Sequence, residues 1–200
     1  MGKIRNAERT RQNILQAARE EFFDKGYTGT RIESIAKRAG VNKQLIYHYF
    51  KGKDELINET INAFVAEQLP TGNLTLPADP VQIAEFRYKV NKDYLKDFLK
   101  FSAWEAVDNL PDSLKGEEQR KKVLQSYNED IKSKQENGLV PKELDPELIT
   151  LMMSSLTIYP LLYGEVTKMI TGLHPDDPEF QEKWMRFLRQ ISERVFRMEE

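Results

Sequence analysis

The sequence predicts an all-α fold. Apolar residues recur every three or four positions along nearly the whole chain, and no run alternates with period two and β-branched residues in the way a strand requires. Residues that start and stop helices sit between these runs: Thr30, Asn42, Asp79-Pro80 and Asp145-Pro146 at starts, Gly26, Gly40 and Gly138 at ends.

The first helix is expected over about residues 8–25, with Ile14, Leu15, Ala18 and Phe22 on one face and a left-handed cap at Gly26. After the short connection Tyr27-Thr28-Gly29, Thr30 and Glu33 form a capping-box pattern opening a helix whose Ile32, Ile35 and Ala36 point inward; it ends near Gly40. Asn42 caps a third, short helix over 43–49. Residues 50–53 then turn the chain into a fourth, whose apolar face is Leu56, Ile57, Ile61, Phe64 and Val65.

The Pro- and Gly-rich stretch 69–73, followed by Pro77 and Pro80, is the expected linker. Asp79-Pro80 supplies a cap and first residue for a helix to about Asn91, and a separate helix over 93–108 carries Tyr94, Leu95, Phe98, Leu99, Phe101 and Trp104 before Asn109-Leu110-Pro111 ends it. A charged, largely solvated helix follows over about 114–137, with Val123, Leu124, Tyr127 and Ile131 inward. The stretch 148–164 has no charged residue, yet it is shorter than the roughly 20 residues of a membrane span and contains Thr150, Ser154, Ser155, Thr157 and Pro160. A buried helix kinked at Pro160 is expected. The last helix carries one stripe, Phe180, Trp184, Phe187, Ile191, Val195 and Met198, which needs a partner.

With 200 residues, 40% hydrophobic and 31% charged, the chain can bury one or two small cores, so a disordered protein is not expected. It has no cysteine, which excludes disulfides, zinc-thiolate sites and thiol catalysis, and its two histidines leave little scope for a metal centre. The polar N-terminus lacks the apolar core of a secretory signal, and a reducing cytoplasm is the expected compartment. The net charge of −2 conceals an asymmetry: residues 1–53 hold 12 Lys or Arg against 5 Asp or Glu, net +7, and residues 54–200 hold 18 against 27, net −9. A basic head on an acidic body suits a chain that presents one end to nucleic acid, although a chance cluster is the plainer explanation of charge alone.

Two short helices joined by Ala39-Gly40-Val41 within this basic segment have the layout of a helix-turn-helix. The stretch Thr30-Arg31-Ile32-Glu33-Ser34-Ile35-Ala36-Lys37-Arg38-Ala39-Gly40-Val41, with Ile46-Tyr47-His48-Tyr49-Phe50 and Lys53-Asp54-Glu55-Leu56, closely resembles the signature of the TetR family of bacterial regulators. The resemblance covers about residues 8–60; beyond it only the length, the helical order and the Trp104-Glu105 pair are similar.

Ala36 and Gly40 are small where two helices approach, and Ile35, Val41, Ile46 and Phe50 are expected to fill the core between them. Asn42, Lys43, Gln44, Tyr47 and His48 lie at or near the exposed side of the recognition helix and are the expected DNA contacts. Gln44 has the donor and acceptor for an adenine edge and Lys43 suits guanine or phosphate, while Tyr47 and His48 resemble family positions that hold the phosphate backbone. Asn42 and Gln44 depart from the family pattern, which has serine and a small residue there, so the operator sequence is not legible. Thr30, Arg31 and Lys53 stand at helix N-termini, where free amides favour a phosphate; an ordinary solvated lysine is the alternative for Lys53. His48 as a metal ligand would need the distant His174 and is set aside.

The resemblance implies a DNA-binding domain over 1–53, packed on a connecting helix 54–69, and an effector-binding and dimerisation domain over 54–200. It further implies a homodimer that reads a palindromic operator on double-stranded DNA and leaves it on binding a small lipophilic or aromatic effector. The expected dimer surface is Leu151, Ser155, Trp184, Phe187, Ile191 and Val195, unless these belong to the monomer's own core. Phe64, Tyr88, Phe98, Phe101, Trp104, Tyr127, Tyr159 and Tyr163 are candidates for lining an effector cavity, most of them serving also as core. No cofactor or metal is expected. The chain contains no G-x-S-x-G, H-E-x-x-H or phosphate loop, so an enzyme is not expected. The rival readings are an architectural DNA-binding protein of the same fold without an effector and a helical interaction protein that has lost DNA binding.

Overall fold

A computed structural model describes residues 2–68, 76–107 and 114–197, with the side chains of 2–6 excepted. The expected linker 69–73, the helix end at 109–111 and Met198 lie outside the described residues. Among those residues every regular element is helical: α1 (Gly2–Gly29), α2 (Ile32–Ala39), α3 (Lys43–Tyr49), α4 (Lys53–Gln68), a 3-10 turn (Pro80–Gln82), α5 (Ile83–Val90), a π turn (Asn91–Leu95), α6 (Lys96–Val107), α7 (Glu117–Glu136), α8 (Pro146–Leu162), α9 (Gly164–Thr171) and α10 (Pro178–Phe196). The chain forms two compact units, residues 1–71 with 100–120, and residues 72–99 with 121–200. The boundary suggested at 53/54 therefore falls inside the first unit, because α4 packs along α1.

In the first unit, Ile14, Ala18 and Phe22 of α1 are buried with Ile35, Ile46, Phe50, Leu56, Ile57 and Ile61. Each of the Ile, Leu and Phe side chains among them contributes about 1.5–3 kcal/mol relative to exposure. Two ion pairs lie along α1 and α4, Arg11–Glu59 at 2.6 Å and Arg19–Glu67 at 3.2 Å, and the ring of Phe23 meets Phe64 edge-on at 5.1 Å. Buried Glu21 accepts from Lys25 at 2.7 Å and from Arg38 of α2 at 2.9 Å. The Lys25 hydrogen bond, aided by Arg38, lowers its pKa against the opposing effect of burial.

The start of α2 departs from expectation. Arg31, not Thr30, occupies the cap position, and no side chain caps the helix. The main chain breaks at Gly26 (φ 68°), and the single Thr30 hydroxyl proton is shared between two carbonyls there, Gly26 O at 2.8 Å and Glu21 O at 3.0 Å. Asn42 behaves as expected, its side chain accepting from Leu45 N at 2.8 Å. Gly40 does not mark a close approach, since a Cβ there would have nothing within 4 Å. Its φ of 67° supplies the reason for glycine, together with the Val41 N–H to Ala36 carbonyl bond that closes α2. Gly40→Ala is accordingly expected to cost about 1–2 kcal/mol through backbone strain alone, measured as the loss of unfolding free energy in urea; an unchanged midpoint would remove this account of Gly40.

The second unit is built on α5 packed against α8, with α10 against α5 and the 3-10 turn. Ile83, Tyr88, Ile149, Met153, Phe180, Leu188 and Phe196 are buried there. Asp79 accepts from Val81 N at 2.9 Å and Asp145 from Glu147 N at 2.8 Å, so both Asp-Pro starts form as read. The two helices expected over 79–91 and 93–108 are instead one continuous run joined through the π turn, where buried Asn91 donates to Thr157 Oγ1 of α8 at 3.0 Å.

In this unit α8 and α7 add to or differ from the sequence reading at three points. α8 runs through Pro160 and ends two residues later at Leu162; the chain turns at Tyr163 (φ −113°, ψ 54°), after which the unforeseen α9 begins. The uncharged segment is not buried all round: Leu148, Leu151, Tyr159 and Tyr163 are exposed. On α7 only Ile131 of the four inward positions is buried, and Leu124 is exposed. Periodicity identifies an apolar face, and what covers that face is a matter of neighbours far away in sequence. Among the described residues no helix is long and apolar enough to cross a membrane.

Candidate nucleic-acid interface

The recognition segment is α3 with its two flanking turns. Ile46 and Phe50 are buried and anchor it, so Gln44, Tyr47 and His48 fall on the opposite, exposed face of a seven-residue helix. Tyr47 is 47% exposed, and its ring lies 5.7 Å from Lys43 Nζ. The His48 ring meets Tyr49 edge-on at 5.5 Å, and Tyr49 itself is tied down, its hydroxyl donating to the Ala7 carbonyl at 3.2 Å.

Arg31, Asn42 and Lys43 are also exposed, and Arg31 precedes the open amides of α2. Lys53 is the first residue of α4, with its ammonium over the Tyr27 ring at 4.2 Å. Seven of the eight expected contact residues therefore reach the outside of this unit, and Thr30 does not. Its side chain is 2% exposed and turned toward α1.

Two of the exposed residues have intramolecular partners, of which the sequence disclosed the Asn42 cap but not the Lys43 ion pair. Asn42 spends its carbonyl oxygen on the α3 cap, and Lys43 is paired with Glu33 of α2. The Lys43–Glu33 hydrogen bond raises the lysine's pKa and lowers the glutamate's. Lys51, exposed in the turn after α3, is a further cation on this segment that the contact reading passed over; its only signal was membership of the basic stretch.

Comparison with known proteins gives the segment a context. The profile described as bacterial regulatory proteins, tetR family, matches residues 14–60. Bacillus subtilis YhgD, an HTH-type transcriptional regulator, is 30% identical over 72% of this chain and 78% of its own. The chain belongs to the tetR family. This TetR-family chain is also 26% identical to the HTH-type transcriptional repressor NicS of Pseudomonas putida, over 98% of this chain and 96% of that one. Its fold matches that of the transcriptional regulator SCO4942 from Streptomyces coelicolor with a TM-score of 0.73, at 22% identity over 94% of this chain and 98% of the other.

The aromatic residues expected to line an effector cavity divide between the two units. Phe64, Phe101 and Trp104 belong to the first unit, where Phe101 stacks on Phe23 at 5.6 Å and Trp104 is 47% exposed. Tyr88, Phe98, Tyr127, Tyr159 and Tyr163 belong to the second. Tyr88 is buried, which raises its pKa to about 12, and its hydroxyl has no hydrogen-bond partner. Tyr159 and Tyr163 pair at 4.9 Å on the outer side of α8, where they and Ser155 line an open groove of about 500 Å³ together with Trp184. Along α10 the rings of Phe180, Trp184 and Phe187 stack in sequence at 5.8 and 5.3 Å.

Proposed function

We propose that this TetR-family chain is a homodimeric transcriptional repressor that grips a palindromic operator with two copies of α3 and releases it when a small effector binds the second unit. The observation that carries the DNA reading is the outward face of α3, with Gln44, Tyr47 and His48 exposed beside Arg31 and Lys43 on a segment of net charge +7. In this reading Gln44 faces base edges, Tyr47, His48, Arg31 and Lys53 hold phosphates, and Asn42 shapes the helix start. Lys43 exchanges Glu33 for DNA, an exposed pair that water already screens. Thr30 contributes by positioning the turn before α2.

Titration of the DNA upstream of the chain's own gene, followed by fluorescence anisotropy across a salt series, tests this function. Binding that weakens linearly on a logarithmic salt scale is expected. Failure on that DNA and on random genomic fragments would leave a helical interaction protein as the better reading.

One α3 reads too few base pairs for specificity, and two-fold symmetry places a pair about 34–36 Å apart. The apolar surface on α8 and α10, with Leu151 61% and Phe187 40% exposed and Trp184, Ile191 and Val195 half-buried beside exposed Ser155, supports these helices as the dimer interface. Phe187→Glu is expected to remove about 1.5–3 kcal/mol of apolar burial at each of its two symmetric copies and to convert the dimer to monomer in sedimentation velocity. A variant that sediments like the wild type would move the interface elsewhere.

A further inference from the structure

The second unit holds a buried cation without an anion. Arg87 of α5 is 7% exposed. Its Nη2 donates to Ser154 Oγ at 2.7 Å, its Nη1 reaches the Thr150 carbonyl at 3.4 Å, and its guanidinium lies over the Tyr127 ring, 4.6 Å from the centroid. A guanidinium carries five N–H donors, so two neutral acceptors leave most of its capacity unused. Among the described residues no carboxylate pairs with it. Glu85, on the same helix, is held by Arg189 at 2.7 Å, while Asp93 and Asp176 are held by Lys92 and Lys96 at 3.3 and 2.9 Å. Burial lowers the pKa of Arg87, with Tyr127 opposing.

A group on the same stretch of α8 is unsatisfied. Helical Ser and Thr hydroxyls commonly donate to the carbonyl four residues earlier, and on α8 Ser154, Ser155 and Thr157 all do so. Thr150, whose carbonyl Arg87 touches, does not: its Oγ1 is buried with no hydrogen-bond partner. On the α7 side, Tyr127 and Val123, four residues apart on one face, are left half-buried. Three helices thus bring the Arg87 cation to the Tyr127 ring, the Ser154 hydroxyl and the Thr150 carbonyl, with the free hydroxyl on that same Thr150 and Val123 one turn from Tyr127.

We propose that Arg87 is the anchor of an organic acid: the ligand's carboxylate seats on the guanidinium fork, accepts the Thr150 hydroxyl proton as a further hydrogen bond, and lays its apolar body against Tyr127 and Val123. The inference rests on the reading of the second unit as effector-binding and specifies the effector's chemistry, an anionic head on an apolar body. A purely structural arginine at this place would be expected to have a buried acid for a partner, since a charge removed from water toward neutral acceptors alone is unfavourable. The planar fork matches a carboxylate with two parallel hydrogen bonds.

The test uses the full-length protein with benzoate and hexanoate as probes and their amides as neutral counterparts. The acids are expected to raise the melting temperature and weaken DNA binding, with the amides weaker by about tenfold or more. Arg87→Met is expected to melt at the same or a higher temperature without ligand, to retain DNA binding, and to lose the response to acids. Should that variant fail to fold, Arg87→Lys keeps the charge and loses the fork, and is expected to bind the acids about tenfold more weakly.

Equal effects of acids and amides, no effect of either acid at millimolar concentration, or a full acid response in the folded Arg87 variants would each overturn the proposal. The two readings separate cleanly. Wild type that binds DNA and is released by neutral lipophilic compounds alone keeps the repressor and removes the acid site; wild type that never binds DNA yet is stabilised by acids through Arg87 does the reverse.

Discussion

Tyr47→Ala is expected to lower affinity for operator DNA by about a hundredfold while leaving the melting temperature unchanged. The side chain is 47% exposed on the outer face of α3 and has Lys43 as its neighbour, at 5.7 Å, so truncation removes little from the folded unit. A side-chain contact to DNA is worth about 1–3 kcal/mol, and a two-fold dimer loses it twice. Because tyrosine carries no charge, the slope of affinity against salt is expected to stay where it is even as the curve drops. Anisotropy titrations of both proteins at several salt concentrations, with thermal melts alongside, measure all three quantities. Wild-type affinity in the variant would take Tyr47 out of the interface, and a parallel fall in melting temperature would make its role structural.

The second large effect is expected at Gly116, in the turn before α7. Its φ is +69°, and a Cβ there would be built into Ile61 Cγ2 and lie 3.1 Å from Ile61 Cβ. Ile61 is fully buried, so making room for the Cβ would displace packed neighbours. The same turn is fixed on all sides: Gly116 N donates to Asn58 Oδ1 at 3.1 Å, Lys115 N to Glu105 Oε1 at 2.9 Å, and Arg120 pairs with buried Glu105 at 2.7 Å. Left-handed strain and overpacking together give an expected cost of about 2–5 kcal/mol for Gly116→Ala. For a chain of this size that is a fall of roughly 4–20 °C in melting temperature. A shift below a degree would mean the turn relaxes freely, and the close contact with Ile61 would not be a constraint.

Most helices were legible in the sequence because their signals are local. An N-cap acts across three residues, as Asn42 does on Leu45 N, and an Asp-Pro start acts within two or three, as at Asp79 and Asp145. The helix-turn-helix was legible for the same reason: Gly40 and the buried set Ile35, Ile46 and Phe50 leave Gln44, Tyr47 and His48 facing out. The family resemblance rested on the same segment, with Gln44 excepted because it departs from the family pattern. The capping box at Thr30 failed because a competitor from another helix turn, the carbonyls of Glu21 and Gly26, was invisible in the local pattern.

The sequence by itself determined the all-α class, the order of most helices, the basic head and the exposed face of α3, all of which follow from spacing, caps and charge over a few residues. Only the tertiary structure decided which apolar stripes are covered, which cations are paired and which hydroxyls are left over. The α8 stripe was expected to be buried and is partly exposed, and Lys43 and Arg38 turned out to be held by Glu33 and Glu21. Arg87 reads in the sequence as an ordinary charged residue of an amphipathic helix. Its significance lies in the absence of an acid partner among residues that approach it from positions 127, 150 and 154, and partners so distant in the chain are selected by packing, which no local pattern encodes.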